Sequence, residues 1–260
     1  GNAVPGVILA SAVRDFIDLY GVAPGHKIVV VTNNDDAYRT ALVALDAGLS
    51  VSAVIDARQS VQGALPEAVR ARGVRVLTGS AIAGIKGGKA IEGVKLCAQS
   101  GSGEVTEVID ADCVAMSGGW SPVVHLWSHC GGKLNWSDAQ AMFAPDPNRP
   151  PTGADGRAMA SCVGAAAGDL LLADATGAAA ESAIMPVWVM PAHATRKMKF
   201  KMFLDFQNDV KVSDVELAAQ EGYQSVEHTK RYTTLGMATD QGKVSNINGL
   251  AVLSGALDLP

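Results

Sequence analysis

The run Lys27-Ile28-Val29-Val30-Val31, followed by a polar turn and then an amphipathic stretch, restricts the fold of this chain more than any other feature. It is β-branched and does not alternate with polar residues. A strand of that kind suits a parallel sheet with both faces covered, because no side of it can face water. Helical spacing follows over 37–47 and closes at Gly48. A second strand is expected over 50–55, ending at Asp56, then a short helix over 65–72 with Pro66 near its start and a third strand over 74–77. Strand, helix, strand, helix, strand implies right-handed crossovers and a Rossmann-like layer. Ahead of it, residues 7–19 carry helical spacing that ends at Gly21, a suitable C-cap.

Turns at Gly87-Gly88 and Gly101-Ser102-Gly103 flank runs over 90–98 and 104–109 that alternate like antiparallel strands. Such an insertion resembles the nucleotide-binding domains of flavoproteins with two dinucleotide-binding domains. Residues 113–117 read as another buried strand delivering Gly118 and Gly119 to a loop, and 145–153, rich in Pro, Asn and Asp, as an exposed loop. A strand over 158–163 and a helix opened by Gly164-Ala165-Ala166-Ala167-Gly168 and running to about 183 are expected next. Pro186 and Pro191 mark a linker, so the chain divides into 1–190 and 191–260. The second part holds helices over 212–220, with Ser213 as N-cap, over 225–232 and over 246–257.

Composition removes several function classes. With 21 basic against 26 acidic residues there is no basic footprint for nucleic acid. No signal-peptide pattern and no apolar run near the roughly 20 residues of a membrane span is visible, so a cytoplasmic protein is expected. Cys97, Cys113, Cys130 and Cys162 form no C-x-x-C pair and read as thiols in a reducing compartment. His125 and His129 share a helix face but lack a third ligand, which favours an ordinary surface helix over a metal site. Neither G-x-S-x-G nor H-E-x-x-H occurs. Trp120, Trp127 and Trp136 are read as core plugs rather than interface residues.

Two stretches carry candidate chemistry on their own residues. The loop Thr32-Asn33-Asn34-Asp35-Asp36-Ala37 stands where a dinucleotide fold needs G-x-G-x-x-G, yet only Ala37 suits the pattern, and two acids occupy the place of phosphate oxygens. Asp56 sits where a ribose-binding acid would be, but without the glycines it reads as a strand-end turn. The stretch Lys230-Arg231-Tyr232-Thr233-Thr234-Leu235-Gly236-Met237-Ala238-Thr239 joins two cations to hydroxyls and a glycine, the donor set of a phosphate cradle. Solvated helix cations and capping threonines would produce the same pattern.

The C-terminal pattern D-F-Q-N-D-V over 205–210, Glu221-Gly222 and K-R-Y-T-T-L-G-M-A-T-D-Q-G-K over 230–243 resembles the small helical [2Fe–2S] domain of bacterioferritin-associated ferredoxin. The positions of its four cysteines hold Asp205, Gln207, Asp240 and Ser245. Hard oxygen and nitrogen groups replace soft thiolates poorly, so a scaffold without its cluster is expected. Together with S-G-G-W-S-P-V-V-H-L over 117–126, this resembles the alpha subunit of heterotetrameric sarcosine oxidase.

That resemblance implies an internal piece of a longer subunit: an incomplete two-dinucleotide-binding-domain flavoprotein of α/β class with a small ferredoxin-like helical domain lacking cluster ligands. It implies a complex that oxidises sarcosine to glycine with formaldehyde, or methylene-tetrahydrofolate, and hydrogen peroxide. It implies a beta subunit partner, an FMN at the subunit interface and an NAD in the alpha subunit. FMN would touch Lys230, Arg231, Thr233, Thr234, Gly236 and Thr239, and the nucleotide would have its edge at Gly164, Ala165 and Gly168. Related flavoproteins carry an acid where this chain has Ala165. No catalytic residue is implied in this piece. An alpha subunit of a proline or opine dehydrogenase and a ligand-free assembly module remain as alternative readings.

Overall fold

A computed structural model describes residues 4–170 and 181–259. The chain forms two compact units, one made of 1–80, 85–94 and 109–186, the other of 81–84, 95–108 and 187–260.

The first unit is built on a five-stranded parallel sheet, and the β-branched run lies at its centre. Along the chain come β1 (Val7–Leu9), α1 (Ala10–Asp18), β2 (Lys27–Thr32), α2 (Asp36–Asp46), β3 (Ser50–Asp56), α3 (Ala64–Ala71) and β4 (Val76–Leu77). The strands β5 (Ser80–Gly87), β6 (Ile91–Ala98) and β7 (Glu107–Asp110) follow, then β8 (Cys113–Ser117) returns to the sheet. The sheet order is β1-β8-β2-β3-β4, and its four strand pairings are all parallel. Val29, Val31 and Ile55 on one side and Ile28, Val30 and Val54 on the other are all essentially inaccessible to water. That two-sided burial is why the run has no polar alternation. Helix α2 presents Ala37, Tyr38, Ala41 and Ala44 to this core, a stripe at helical spacing.

β5, β6 and β7 form a separate three-stranded sheet in that order. The Thr106 N–H bonds the Leu96 carbonyl and the Ala111 N–H the Glu92 carbonyl, so partners run in opposite directions across β6 and β7. Helix α4 (His125–His129) and an antiparallel hairpin, β9 (Leu134–Ser137) with β10 (Met142–Pro145), complete the unit's regular elements.

The second unit contains α5 (Arg196–Lys199), a small hairpin of β11 (Phe203–Asp205) and β12 (Val210–Lys211), and helices α6 (Val212–Gln220), α7 (Val226–Thr233) and α8 (Asn246–Leu257). Leu204, Val210, Val212, Val215, Leu235, Val252 and Leu253 form its core. The loop between α7 and α8 winds around the Asn246 amide. A Cβ on Gly242, where φ is +75°, would stand 2.1 Å from Asn246 Oδ1. Left-handed backbone and overpacking both penalise a side chain there, so Gly242→Ala should lower stability by about 2 kcal/mol. A thermal melt of that variant against the parent checks it.

Several expectations need correction. Residues 7–9 are strand, not helix, because the edge of β8 takes them as a partner: Val7, Ile8 and Leu9 stand opposite Val114, Ala115 and Met116. Tertiary pairing overrides local periodicity here. Residues 158–163 form no strand; only a bridge from Thr152 to Ala158 is made, and Met159 and Val163 face solvent. Gly164–Ala167 is one 3-10 turn ended by Gly168 in the left-handed region, while most of the helix expected beyond it falls outside the described residues. Ser213 lies inside α6, not at its cap. β12 runs directly into the helix at Lys211, whose N–H donates to the Asp214 carboxylate at 2.9 Å. Of the three tryptophans only Trp127 is buried, donating to the Lys133 carbonyl, whereas Trp120 and Trp136 are exposed.

Candidate functional site

Parallel α/β sheets place ligands outside the carboxyl ends of their strands, at the point where strand order reverses. Here that point lies where β2, flanked by β8 and β3, delivers residues 32–36. All of Thr32, Asn33, Asn34 and Asp35 are buried. The Asn33 amide donates to the Met185 carbonyl at 2.7 Å and the Gly118 carbonyl at 3.1 Å. The Asn34 amide donates to Ser117 Oγ at 2.9 Å, and its oxygen accepts the Ala37 N–H at the start of α2.

Asp35 Oδ2 accepts the Ser182 N–H at 2.7 Å, and Asp35 Oδ1 stands 2.7 Å from Arg58 Nη1. That last approach is an ion pair whose angle falls outside hydrogen-bond geometry. Arg58 also forks onto Asp56, Nε to Oδ1 at 3.0 Å and Nη2 to Oδ2 at 2.8 Å. Tyr38 donates to Asp56 Oδ2 at 2.9 Å. Burial first, then the Asp56 charge, pushes the Tyr38 phenol far above its ordinary range. Burial opposes the charge of Arg58, but its hydrogen bonds to Asp56 and the nearby Asp35 carboxylate prevail and raise its pKa.

Asp36 is held by Arg14 through two bonds, at 2.8 and 2.7 Å, and Arg39 is shared between Asp36 and Glu181. These groups line a cavity of about 410 Å³ that also touches Trp120 and Ile184. Both of its guanidinium groups are thus already bound to acids. A pyrophosphate needs open backbone N–H groups and close approach to a glycine turn. The residues at this strand end do not fit a dinucleotide.

The second candidate, Gly164-Ala165-Ala166-Ala167-Gly168, is a turn exposed at Gly164 and Ala165, half-buried at Ala166 and Ala167, and buried at Gly168. Gly164, at φ +59°, has open space where a Cβ would be. Gly168 is explained by packing: a Cβ there would meet Ala144 Cβ and Met142 Cε at 3.2 Å, and its carbonyl accepts the Gln140 amide.

The third candidate is drawn together by Asp205 and Gln207. Asp205 Oδ2 accepts the Gly236 N–H at 2.8 Å, and Oδ1 accepts those of Gln207 and Asn208 at 2.9 and 3.0 Å. Burial opposes the Asp205 charge, but the N–H donors of Asn208, Gly236 and Gln207 prevail and hold its carboxyl below the ordinary range. Gln207 Oε1 accepts both the N–H and the hydroxyl of Thr239, at 3.0 and 2.5 Å. Asp240 caps its own turn through the Gly242 N–H. Ser245 is buried with no partner for its hydroxyl among the described residues.

So the donors of Gly236 and Thr239 are committed internally. Thr233 bonds the Thr229 carbonyl and Thr234 the Thr233 carbonyl. Arg231 pairs with Glu227 at 2.8 Å on an exposed helix face, where water weakens the pair. Lys230 is half-buried and pairs with no acid among the described residues.

Elsewhere, no cluster of three His, Cys, Asp or Glu suited to a metal occurs among the described residues, His125 and His129 included. No described helix is long and apolar enough to cross a membrane. Burial, aided by Asp112, pushes the Cys113 thiol up to about 11, and burial also raises Cys97, which makes both poor nucleophiles. Sequence reasoning missed Arg58 and Tyr38. The signal for Arg58 was present, a cation two residues beyond a strand-end acid.

Comparison with known proteins agrees with this layout. The family described as Sarcosine oxidase A3 domain matches residues 199–259. The sarcosine oxidase subunit alpha of Rhizobium meliloti (strain 1021) is 38% identical over 98% of this chain and 26% of its own length. That of Corynebacterium sp. (strain P-1) is 39% identical over 99% of this chain and 29% of its own. The chain therefore spans about a quarter to three-tenths of these relatives. Among solved structures, L-proline dehydrogenase from P. horikoshii superposes over 100% of this chain and 50% of its own at a TM-score of 0.65 and 17% identity, a likeness of fold. Taken with the 199–259 match, identity sustained across nearly the whole chain makes it homologous to one segment of the sarcosine oxidase alpha subunit.

Proposed function

We propose that this chain serves as a scaffold segment of a multisubunit flavoenzyme that oxidises sarcosine, with water and oxygen, to glycine, formaldehyde and hydrogen peroxide, or to methylene-tetrahydrofolate when folate is present. The observation that carries the reading is the alignment of 98–99% of this chain with a segment of sarcosine oxidase alpha subunits. In it, residues 1–190 are a Rossmann-like domain with a degenerate glycine loop, and 191–260 a ferredoxin-like helical domain in which Asp205 and Gln207 have taken over from cluster ligands. The partner is a beta subunit in a cytoplasmic heterotetramer. A flavin there accepts the electrons of the amine, and an FMN at the interface supplies oxygen reduction.

This chain's share is binding, not bond-breaking. Lys230 and Arg231 are the cations free to meet an FMN phosphate, because the Lys230 ammonium has no acid partner among the described residues and the Arg231 pair is exposed. Thr233, Thr234, Gly236 and Thr239 form the shaped loop behind them. NAD, if carried by the full subunit, has only its edge at Gly164, Ala165 and Gly168. Replacing Lys230 and Arg231 together by alanine in the assembled complex should raise the dissociation constant of FMN at least about tenfold, the effect of removing about 1.4 kcal/mol of phosphate binding. Titrating FMN back into the flavin-stripped complex measures it, and an unchanged dissociation constant refutes the contact. Iron and acid-labile sulfide assays of the same complex test the absence of a cluster in this segment.

A further inference from the structure

We infer that the strand-end crevice of the first unit is a sealed joint, in which the Asp35 carboxylate stands in for a ligand phosphate and Arg58 serves as its permanent counter-ion, so that this layer excludes pyridine dinucleotides. The inference does not rest on the flavoenzyme reading; it follows from what each part of the crevice is bonded to.

A dinucleotide entering such a layer needs three things: a gap between the central strand and its neighbour, uncovered N–H groups at the following helix, and a free acid at the end of the next strand for ribose. The gap is stitched shut by amides, Asn34 to Ser117 Oγ at 2.9 Å and Asn33 to the Gly118 carbonyl at 3.1 Å. At the start of α2 the Ala37 N–H is taken by Asn34 Oδ1 and the Tyr38 N–H by the Asp35 carbonyl. Asp56, fully buried, is occupied on both oxygens by Arg58 and on one by Tyr38.

The chain's own segment 182–185 lies along the mouth. Ser182 N–H binds Asp35 Oδ2 at 2.7 Å, and the Met185 N–H binds the Asn33 carbonyl at 3.1 Å while its carbonyl accepts the Asn33 amide. A backbone N–H on a carboxylate oxygen is the same contact that such folds offer to phosphate, here made within one chain. Arg58 could have read a 2′-phosphate, but its fork is spent on Asp56 and its remaining nitrogen lies against Asp35.

Amide hydrogen exchange decides the matter, with the chain as it stands titrated with NAD and separately with NADP up to about 1 mM, the range in which a weak site fills. Exchange at Ser182 and Met185 should not change with either nucleotide. In Asp35→Asn, without ligand, the Ser182 amide should exchange at least about tenfold faster while the amides of β3 stay protected, which separates local opening from unfolding. Saturable change at Ser182 or Met185 on adding nucleotide overturns the inference, as does an Asp35→Asn variant whose Ser182 exchange equals the parent's. Heat of binding with both amides unmoved puts the nucleotide elsewhere and leaves the joint closed. Loss of FMN contact in the Lys230 and Arg231 variant has no bearing on these readouts, so the two ideas fail separately.

Discussion

Replacing Arg58 by methionine is expected to destabilise the first unit by about 3–5 kcal/mol, because it strips the cation from two buried carboxylates. Side-chain exposure is 8% for Arg58, 5% for Asp35 and 0% for Asp56, so water cannot take over its role. Breaking one member of a buried ion set costs far more than removing the set, since the survivors keep their desolvation penalty. The same logic gives the control: Arg58→Met combined with Asp35→Asn and Asp56→Asn should recover most of the loss. Arg58→Lys should fall between, retaining charge but not the fork onto Asp56. Urea unfolding followed by tryptophan fluorescence would measure all four proteins. A single variant within about 1 kcal/mol of the parent contradicts the arrangement, because surface pairs cost no more than that.

Asp205→Ala should cost the second unit on the order of 3 kcal/mol, the most for any change in its loop, because charge-assisted hydrogen bonds contribute about 1.5–3 kcal/mol each and do not sum fully. Three N–H groups lose their acceptor at once, and that of Gly236 is buried. The pH dependence has a definite sign. The folded carboxyl titrates below its unfolded value, so its contribution is complete above about pH 4, the unfolded Asp value, and is lost as pH falls through the depressed folded value. Asp205→Asn should therefore be less acid-sensitive than the parent while being less stable at neutral pH. Exchange of the Gly236 amide reports the same loss locally and should accelerate in either variant.

The parallel layer was legible because burial on both faces of Val29, Val30 and Val31 leaves its mark residue by residue, with no context needed. Helix α8 was legible to its bounds, and α6 to its bounds but not its cap. What could not be read depended on partners distant in sequence. Val7, Ile8 and Leu9 are a strand only because β8 lies beside them more than a hundred residues later. Strand β5 was passed over because Gly84 and Gly87 punctuate it and its faces are only half-buried. The strand-end loop was rightly suspected for its missing glycines, yet nothing local says that Asp35 meets Arg58 and Ser182 instead of solvent. The sequence resemblance led Asp205, Gln207, Asp240 and Ser245 to be read as a vacated site. Asp205 and Gln207 turn out to reach across to 236–239, an outcome of loop geometry that spacing alone does not contain.

The bonds from Asp205 and Gln207 also determine what the second unit requires of its surroundings. The groups that fasten this loop, a carboxylate and an amide, are ones that chelators and peroxide leave intact. Of these bonds, those of Asp205 answer to acidity, while those of Gln207 do not.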